Sequence, residues 1–152
     1  MLKTHSHIEG RRVYLVGAGP GDPELLTVRA VNLLRRADAV LHDGLVTRAI
    51  LDLIAPTAQV IDIGKRCGQK LLTQDDINNL LVHFGSTVET TVRLKGGDPT
   101  IFGRAGEEIS ALRDAAIPYE IVPGITSATA CAAAAGISLT DRRLASSVVF
   151  VT

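Results

Sequence analysis

The sequence predicts an α/β fold: a mainly parallel five-stranded sheet with helices on both faces. Three observations carry that expectation. Short aliphatic runs of strand length alternate with stretches whose apolar residues recur at helical spacing; glycine-rich loops follow the strands; and the core residues are aliphatic, with two tyrosines, three phenylalanines and no tryptophan in 152 residues. Strands separated by helices need crossovers, which are right-handed and set neighbouring strands parallel. A length of 152 residues fits one domain.

Residues 13–17 (VYLVG) read as a buried strand running into a glycine loop, and 27–37 (TVRAVNLLRRA) carry apolar residues at helical spacing. Residues 39–42 form a second strand, 47–54 a short helix stopped by Pro56, and 59–63 a third strand. Thr73, with Asp76 after it, caps a helix through Phe84; 88–94 is the fourth strand, followed by the loop GGDPTIFG. Good helix formers fill 105–116, 119–122 is the fifth strand, and 126–135 is an alanine-rich helix ending at Gly136. Residues 147–151 begin a further strand, so the chain reads as the first part of something longer.

Sixteen basic and sixteen acidic residues give a formal charge of zero, which excludes a global field that draws the chain to nucleic acid or an anionic membrane. The longest apolar run, Ala130 to Ala135, has six residues, far short of the roughly 20 that a spanning helix needs. The N-terminus MLKTHSHIEGRR has no secretory h-region, and two cysteines, Cys67 and Cys131, are too few for a disulfide framework. A reducing cytoplasm is the expected compartment. No second histidine or cysteine stands at ligand spacing from His42, so no metal site is expected.

In parallel sheets ligands bind beyond the carboxyl ends of the strands, where Gly17, Gly19 and Gly21, Gly64, Gly96 and Gly97, and Gly124 all fall. GAGPGD, at 17–22, lets backbone approach a ligand closely or merely makes a tight turn. It is not the dinucleotide fingerprint, because Asp22 stands where the third glycine belongs. Asp22 and Glu24 also place acids where a pyrophosphate needs bare amides, whereas a phosphate-free cationic nucleoside such as S-adenosylmethionine tolerates them.

Asp43, just past the second strand, stands where a dinucleotide fold places its ribose-binding acid, or is an exposed loop aspartate or turn cap. His42 beside it is more often structural than titrating. Lys65, Arg66 and Lys70 in GKRCGQK form an anion-binding or acid-supplying loop, or ordinary solvated surface, and Arg66 with Arg104 offers guanidinium forks for carboxylates. RLKGGDPTIFGRAGEE, at 93–108, is the most specific stretch: Asp98 between Gly-Gly and Pro99 fixes a carboxylate on a loop lined by backbone. VPGITSATA presents the Thr126 and Ser127 hydroxyls at a strand-to-helix junction, or simply starts a helix.

Taken in order, GAGPGDPELLT, HDGLV, GKR, RLKGGDPTIFGRAGEE and VPGITSATA resemble the tetrapyrrole methylases, nearest to the uroporphyrinogen-III C-methyltransferase group that also supplies the methylase part of siroheme synthases. The resemblance runs from about Val13 to Thr152. It implies an enzyme that moves methyl groups from S-adenosylmethionine to two carbons of uroporphyrinogen III, giving precorrin-2 by way of precorrin-1. On the matching motifs, Pro20, Gly96, Gly97, Asp98, Ile101, Thr126 and Ser127 fall on cofactor-contacting positions, and Asp43 and Lys65 on the proton acceptor and donor. A homodimer is implied as well.

The chain departs from the family pattern at His42, where tyrosine is usual, and at Ser127, where alanine is common. On the family plan, residues 1–12 are a flexible N-terminal segment, 13–146 the S-adenosylmethionine-binding α/β domain, and 147–152 the start of a second domain that is absent here. A one-sided cleft leaves a ligand more exposed than the 70 to 90% burial roughly typical of small-molecule sites, so this piece alone is expected to turn over little or not at all. The competing readings are another precorrin methylase, a nicotinamide-dependent oxidoreductase fragment using Gly17, Gly19 and Asp43, and a non-catalytic interaction half.

Overall fold

A computed structural model describes residues 10–64 and 72–151. Its elements are β1 (Arg12–Gly17), α1 (Val28–Leu34), β2 (Ala39–His42), α2 (Arg48–Leu51), β3 (Gln59–Asp62), α3 (Gln74–Thr87), β4 (Thr90–Lys95), α4 (Ala105–Asp114), β5 (Tyr119–Val122) and α5 (Ser127–Ala134). The five strands pair in the order β3-β2-β4-β1-β5, every pairing parallel, with Val16 of β1 opposite both Leu94 and Val122.

Alternation along each strand divides the core into two layers. On one face Val16, Val40, Val92 and Leu94 meet Ala30, Leu33 and Leu34 of α1 and Ile50 of α2. On the other, Val13, Leu15 and Leu41 meet Leu81 and Phe84 of α3 and Leu112 of α4. Helices therefore cover both sides, as parallel strands require. Fully buried leucines such as Leu15, Leu33 and Leu41 each contribute about 1.5–3 kcal/mol by leaving water.

The start of α3 carries the expected cap: the Asp76 N–H donates to the Thr73 hydroxyl at 3.1 Å and the Thr73 N–H to the Asp76 carboxylate at 2.8 Å. The helix runs to Thr87, past the expected end at Phe84, and in its last turn the Ser86 and Thr87 hydroxyls donate to the carbonyls of Val82 and His83. Val88 becomes its C-cap, which moves the start of β4 to Thr90. At α5, Gly136 takes a positive φ of 67° as the expected C′ residue.

The strand expected over 147–151 does not form. A strand is defined by a hydrogen-bonded neighbour, and no strand among the described residues pairs with this segment; Val149 and Val151 stand in solvent. The alanine-rich α5 likewise buries none of its residues. Among the described residues no helix is long and apolar enough to cross a membrane.

A candidate active site at the carboxyl edge of the sheet

All five strands end at one edge, and the loops that leave β1, β2, β4 and β5 interlock. The Gly19 N–H donates to the Gly97 carbonyl at 3.1 Å and the Gly97 N–H to the Gly19 carbonyl at 2.9 Å, which joins the loops after β1 and β4. A Cβ on Gly17 would sit 2.6 Å from the Gly124 Cα and 2.7 Å from the Gly97 carbonyl oxygen, so glycine is a steric requirement where these loops touch. The Thr47 hydroxyl donates to the Gly21 carbonyl at 2.7 Å and brings in the loop after β2.

Between these loops lies a cleft of about 420 Å³. Pro20 and Gly19 form one side, Gly96, Gly97 and Asp98 the floor beyond β4, and Ile101 and Phe102 the loop that follows. Thr126 and Ser127 face it from the start of α5, and Asp43 and Leu45 close it from the β2 loop. Eight of the nine residues singled out from the sequence thus line one space. The ninth, Lys65, lies outside the described residues, as do Arg66 and Lys70.

Asp98 ties the loops together. Its Oδ1 accepts from the Thr100 N–H at 2.8 Å and from the Thr100 hydroxyl, and its Oδ2 accepts from the Gly124 N–H at 3.0 Å. Partial burial alone would raise the carboxyl, but the Thr100 hydroxyl and the two backbone donors outweigh it and hold the group below the usual carboxylate range. Thr126 sits at the N-cap of α5 without using its side chain as a cap. Its hydroxyl and the first amides of the helix are therefore available to a ligand.

Three functional groups escaped the sequence reading. Arg93 and Lys95 leave the same face of β4 and are each only 3% exposed; Glu108 of α4 meets them and is 0% exposed. Glu108 Oε1 accepts from Arg93 Nε and from Lys95 Nζ, both at 2.9 Å, and Oε2 accepts from Lys95 Nζ at 3.0 Å. Arg93 Nη2 then reaches the Asp43 carboxylate at 2.6 Å. Burial pushes the Lys95 ammonium below its ordinary value and Arg93 adds to the shift, while Glu108 and Asp43 oppose it without cancelling it. The signal was present: a central parallel strand has no solvent face, so two cations flanking Leu94 must find buried partners.

Two other expectations go to other places. His42 is buried and lines a separate cleft with Arg48 and Asp62, its Nδ1–H donating to the Asp43 carbonyl at 3.0 Å. Arg104 does not offer an open fork, because its Nε and Nη2 already donate to Glu107 at 2.8 and 2.9 Å. Between β1 and α1 a 3-10 turn at Pro23–Leu25 intervenes, with the Asp22 carboxylate accepting from the Glu24 N–H at 2.9 Å. The helix start that a dinucleotide fold aims at a pyrophosphate is thereby displaced by an acidic turn.

The tetrapyrrole (corrin/porphyrin) methylases match this chain over residues 12–152. A siroheme synthase of Pseudomonas aeruginosa strain UCBPP-PA14 is 54% identical over 147 residues, which are 97% of this chain and 32% of that protein. The chain therefore spans about a third of the length of the curated relatives it matches. A uroporphyrin-III C-methyl transferase from Thermus thermophilus, solved in complex with S-adenyl homocysteine, is 47% identical with a TM-score of 0.75, over 90% of this chain and 56% of that one. A cobalamin biosynthetic enzyme, cobalt precorrin-4 methyltransferase, is 34% identical with a TM-score of 0.81, over 91% of this chain and 56% of its own. With its all-parallel sheet, its glycine-floored cleft and a family match that takes in every described element, this chain belongs to the tetrapyrrole methylases.

Proposed function

We propose that this chain is the cofactor-binding portion of an S-adenosylmethionine-dependent C-methyltransferase that converts uroporphyrinogen III to precorrin-2 by way of precorrin-1, in siroheme and cobalamin biosynthesis. The observation that carries this reading is one cleft with glycine backbone in its floor, in a chain similar to a siroheme synthase and to a C-methyl transferase solved with the demethylated cofactor. Pro20, Gly96, Gly97, Asp98, Ile101, Thr126 and Ser127 hold the cofactor. The glycines admit it against backbone, and the Thr126 and Ser127 hydroxyls with the α5 amides take its polar ends.

The cofactor supplies an electrophilic methyl group when bound. Asp43 then faces the macrocycle. Carbon methylation spreads positive charge over the pyrrole nitrogen, and the Asp43 carboxylate, held in place by Arg93, stabilises that charge and accepts the released proton. Lys65 is the proton donor. The working protein is a cytoplasmic homodimer, and the 152-residue chain alone has little or no turnover. A sibling reaction on a later precorrin is the second reading, favoured by the similarity to the cobalt precorrin-4 methyltransferase.

Thermal denaturation of the chain with S-adenosylhomocysteine or with NADH tests the cofactor. At about 100 times Kd the correct ligand adds about 2.7 kcal/mol, or roughly 5–10 °C for a domain of this size. A rise with S-adenosylhomocysteine alone is expected, and a rise with NADH alone removes the methyltransferase reading. Methyl transfer from labelled S-adenosylmethionine to uroporphyrinogen III by the full-length protein, against no transfer to a later precorrin, separates the two methylase readings.

A further inference from the structure

Among the described residues, five ionisable groups line or back the cleft. Asp43, Asp98 and Lys95 are on its wall; Arg93 and Glu108 lie directly behind it. Among them three carboxylates stand against two cations. Glu108 contributes from the greatest depth, since it is fully buried and does not line the cleft, yet its two oxygens take N–H donors from both cations. Its neighbour Glu107 is on the solvent side of α4 and is committed to Arg104.

S-Adenosylmethionine and S-adenosylhomocysteine share every polar group but one: the first carries a sulfonium, the second a neutral thioether. Resting on the cofactor reading above, we propose that Glu108 raises the affinity of the cleft for the sulfonium donor relative to the thioether product, by neutralising the ammonium of Lys95 at the cleft wall. Without that carboxylate, Lys95 presents an uncompensated positive charge to a positively charged ligand. The thioether is insensitive to the change. The groups facing Lys95 are Arg93 from its own strand, Glu108 from α4 and Asp43 from the β2 loop, so Glu108 is its only hydrogen-bonded carboxylate among the described residues.

The test is calorimetric titration of both ligands into the wild-type chain, Glu108→Gln, Lys95→Met and the double variant, at mildly acidic pH so that Lys95 keeps its proton when its partner is gone. Glu108→Gln is expected to lower the sulfonium-to-thioether affinity ratio about tenfold, the order of effect of one uncompensated charge beside a cationic ligand at an effective dielectric of about 20. Lys95→Met is expected to raise the ratio, and the double variant to return it to the wild-type value. Raising the pH should also restore the ratio in Glu108→Gln as Lys95 deprotonates. A merely structural role weakens both ligands together and leaves the ratio where it was.

If Glu108→Gln does not fold, Lys95→Met alone decides the matter through the direction of its ratio. Ratios within twofold of wild type in the variants that bind both ligands overturn the proposal while leaving the cofactor reading intact. A wild-type chain that binds neither ligand overturns the cofactor reading, and this inference with it.

Discussion

The two faces of β4 make opposite uses of one strand. Val92 and Leu94 enter an aliphatic layer under α1 and α2, whereas Thr91, Arg93 and Lys95 enter the layer under α3 and α4, where Glu108 waits for the two cations. Both faces are equally dry. The aliphatic face is held by contacts that can be lost a few atoms at a time, but the charged face is cooperative: each ion is tolerated only while its partners are present. That face leads directly to Asp43 and the cleft, so the proposed site is anchored in the part of the core that tolerates change least.

Removing one partner from each face breaks the comparison most severely. Glu108→Leu leaves Arg93 and Lys95 buried without their shared carboxylate and is expected to cost about 3–5 kcal/mol, read from urea denaturation. Leu94→Ala on the opposite face is expected to cost about 3 kcal/mol. The two diverge in a second measurement, because only the Glu108 change should alter how Asp43 is held and hence the pH profile of full-length turnover. Equal profiles would mean that the charged face is a structural core and nothing more.

A smaller effect is expected where the polar side of β4 passes into its loop. Asp98→Asn leaves one acceptor oxygen where two serve the Thr100 and Gly124 donors, and should cost about 1 kcal/mol at neutral pH. The folded carboxyl lies below its unfolded value of about 4, so this contribution is full above pH about 4 and disappears as the pH falls through the lower folded value. Denaturation midpoints of the two proteins should therefore converge in acid; a gap that persists there would place the cost in loop geometry instead of charge.

The smallest effect has the opposite sign. Among the described residues the buried Thr91 hydroxyl has no hydrogen-bond partner, so Thr91→Val should raise stability by up to about 1 kcal/mol by removing an unsatisfied polar atom. A loss of stability in the denaturation curve would mean that the hydroxyl is satisfied in solution.

How far the sequence discloses this molecule depends on how local each feature is. The alternation of strands and helices, the capping box at Thr73 and the C′ glycine at 136 are all set within a few residues, and each appears where the pattern places it. The cleft was legible for a related reason, since loops at the carboxyl ends of parallel strands must share an edge. The segment 147–151 was not, because VVFV has strand propensity but strand formation belongs to a pair. Arg93, Lys95 and Glu108 were missed because charges alternating with a leucine look like a half-exposed strand until the sheet order puts β4 between β2 and β1.

The contact among Gly17, Gly97 and Gly124 leaves no room for a side chain where the three loops meet beneath the cleft. Leu45 and Phe102, both exposed at the rim, carry no such constraint. Substitutions at the rim can therefore reshape what the cleft admits, whereas the glycine contact beneath it leaves no room for one.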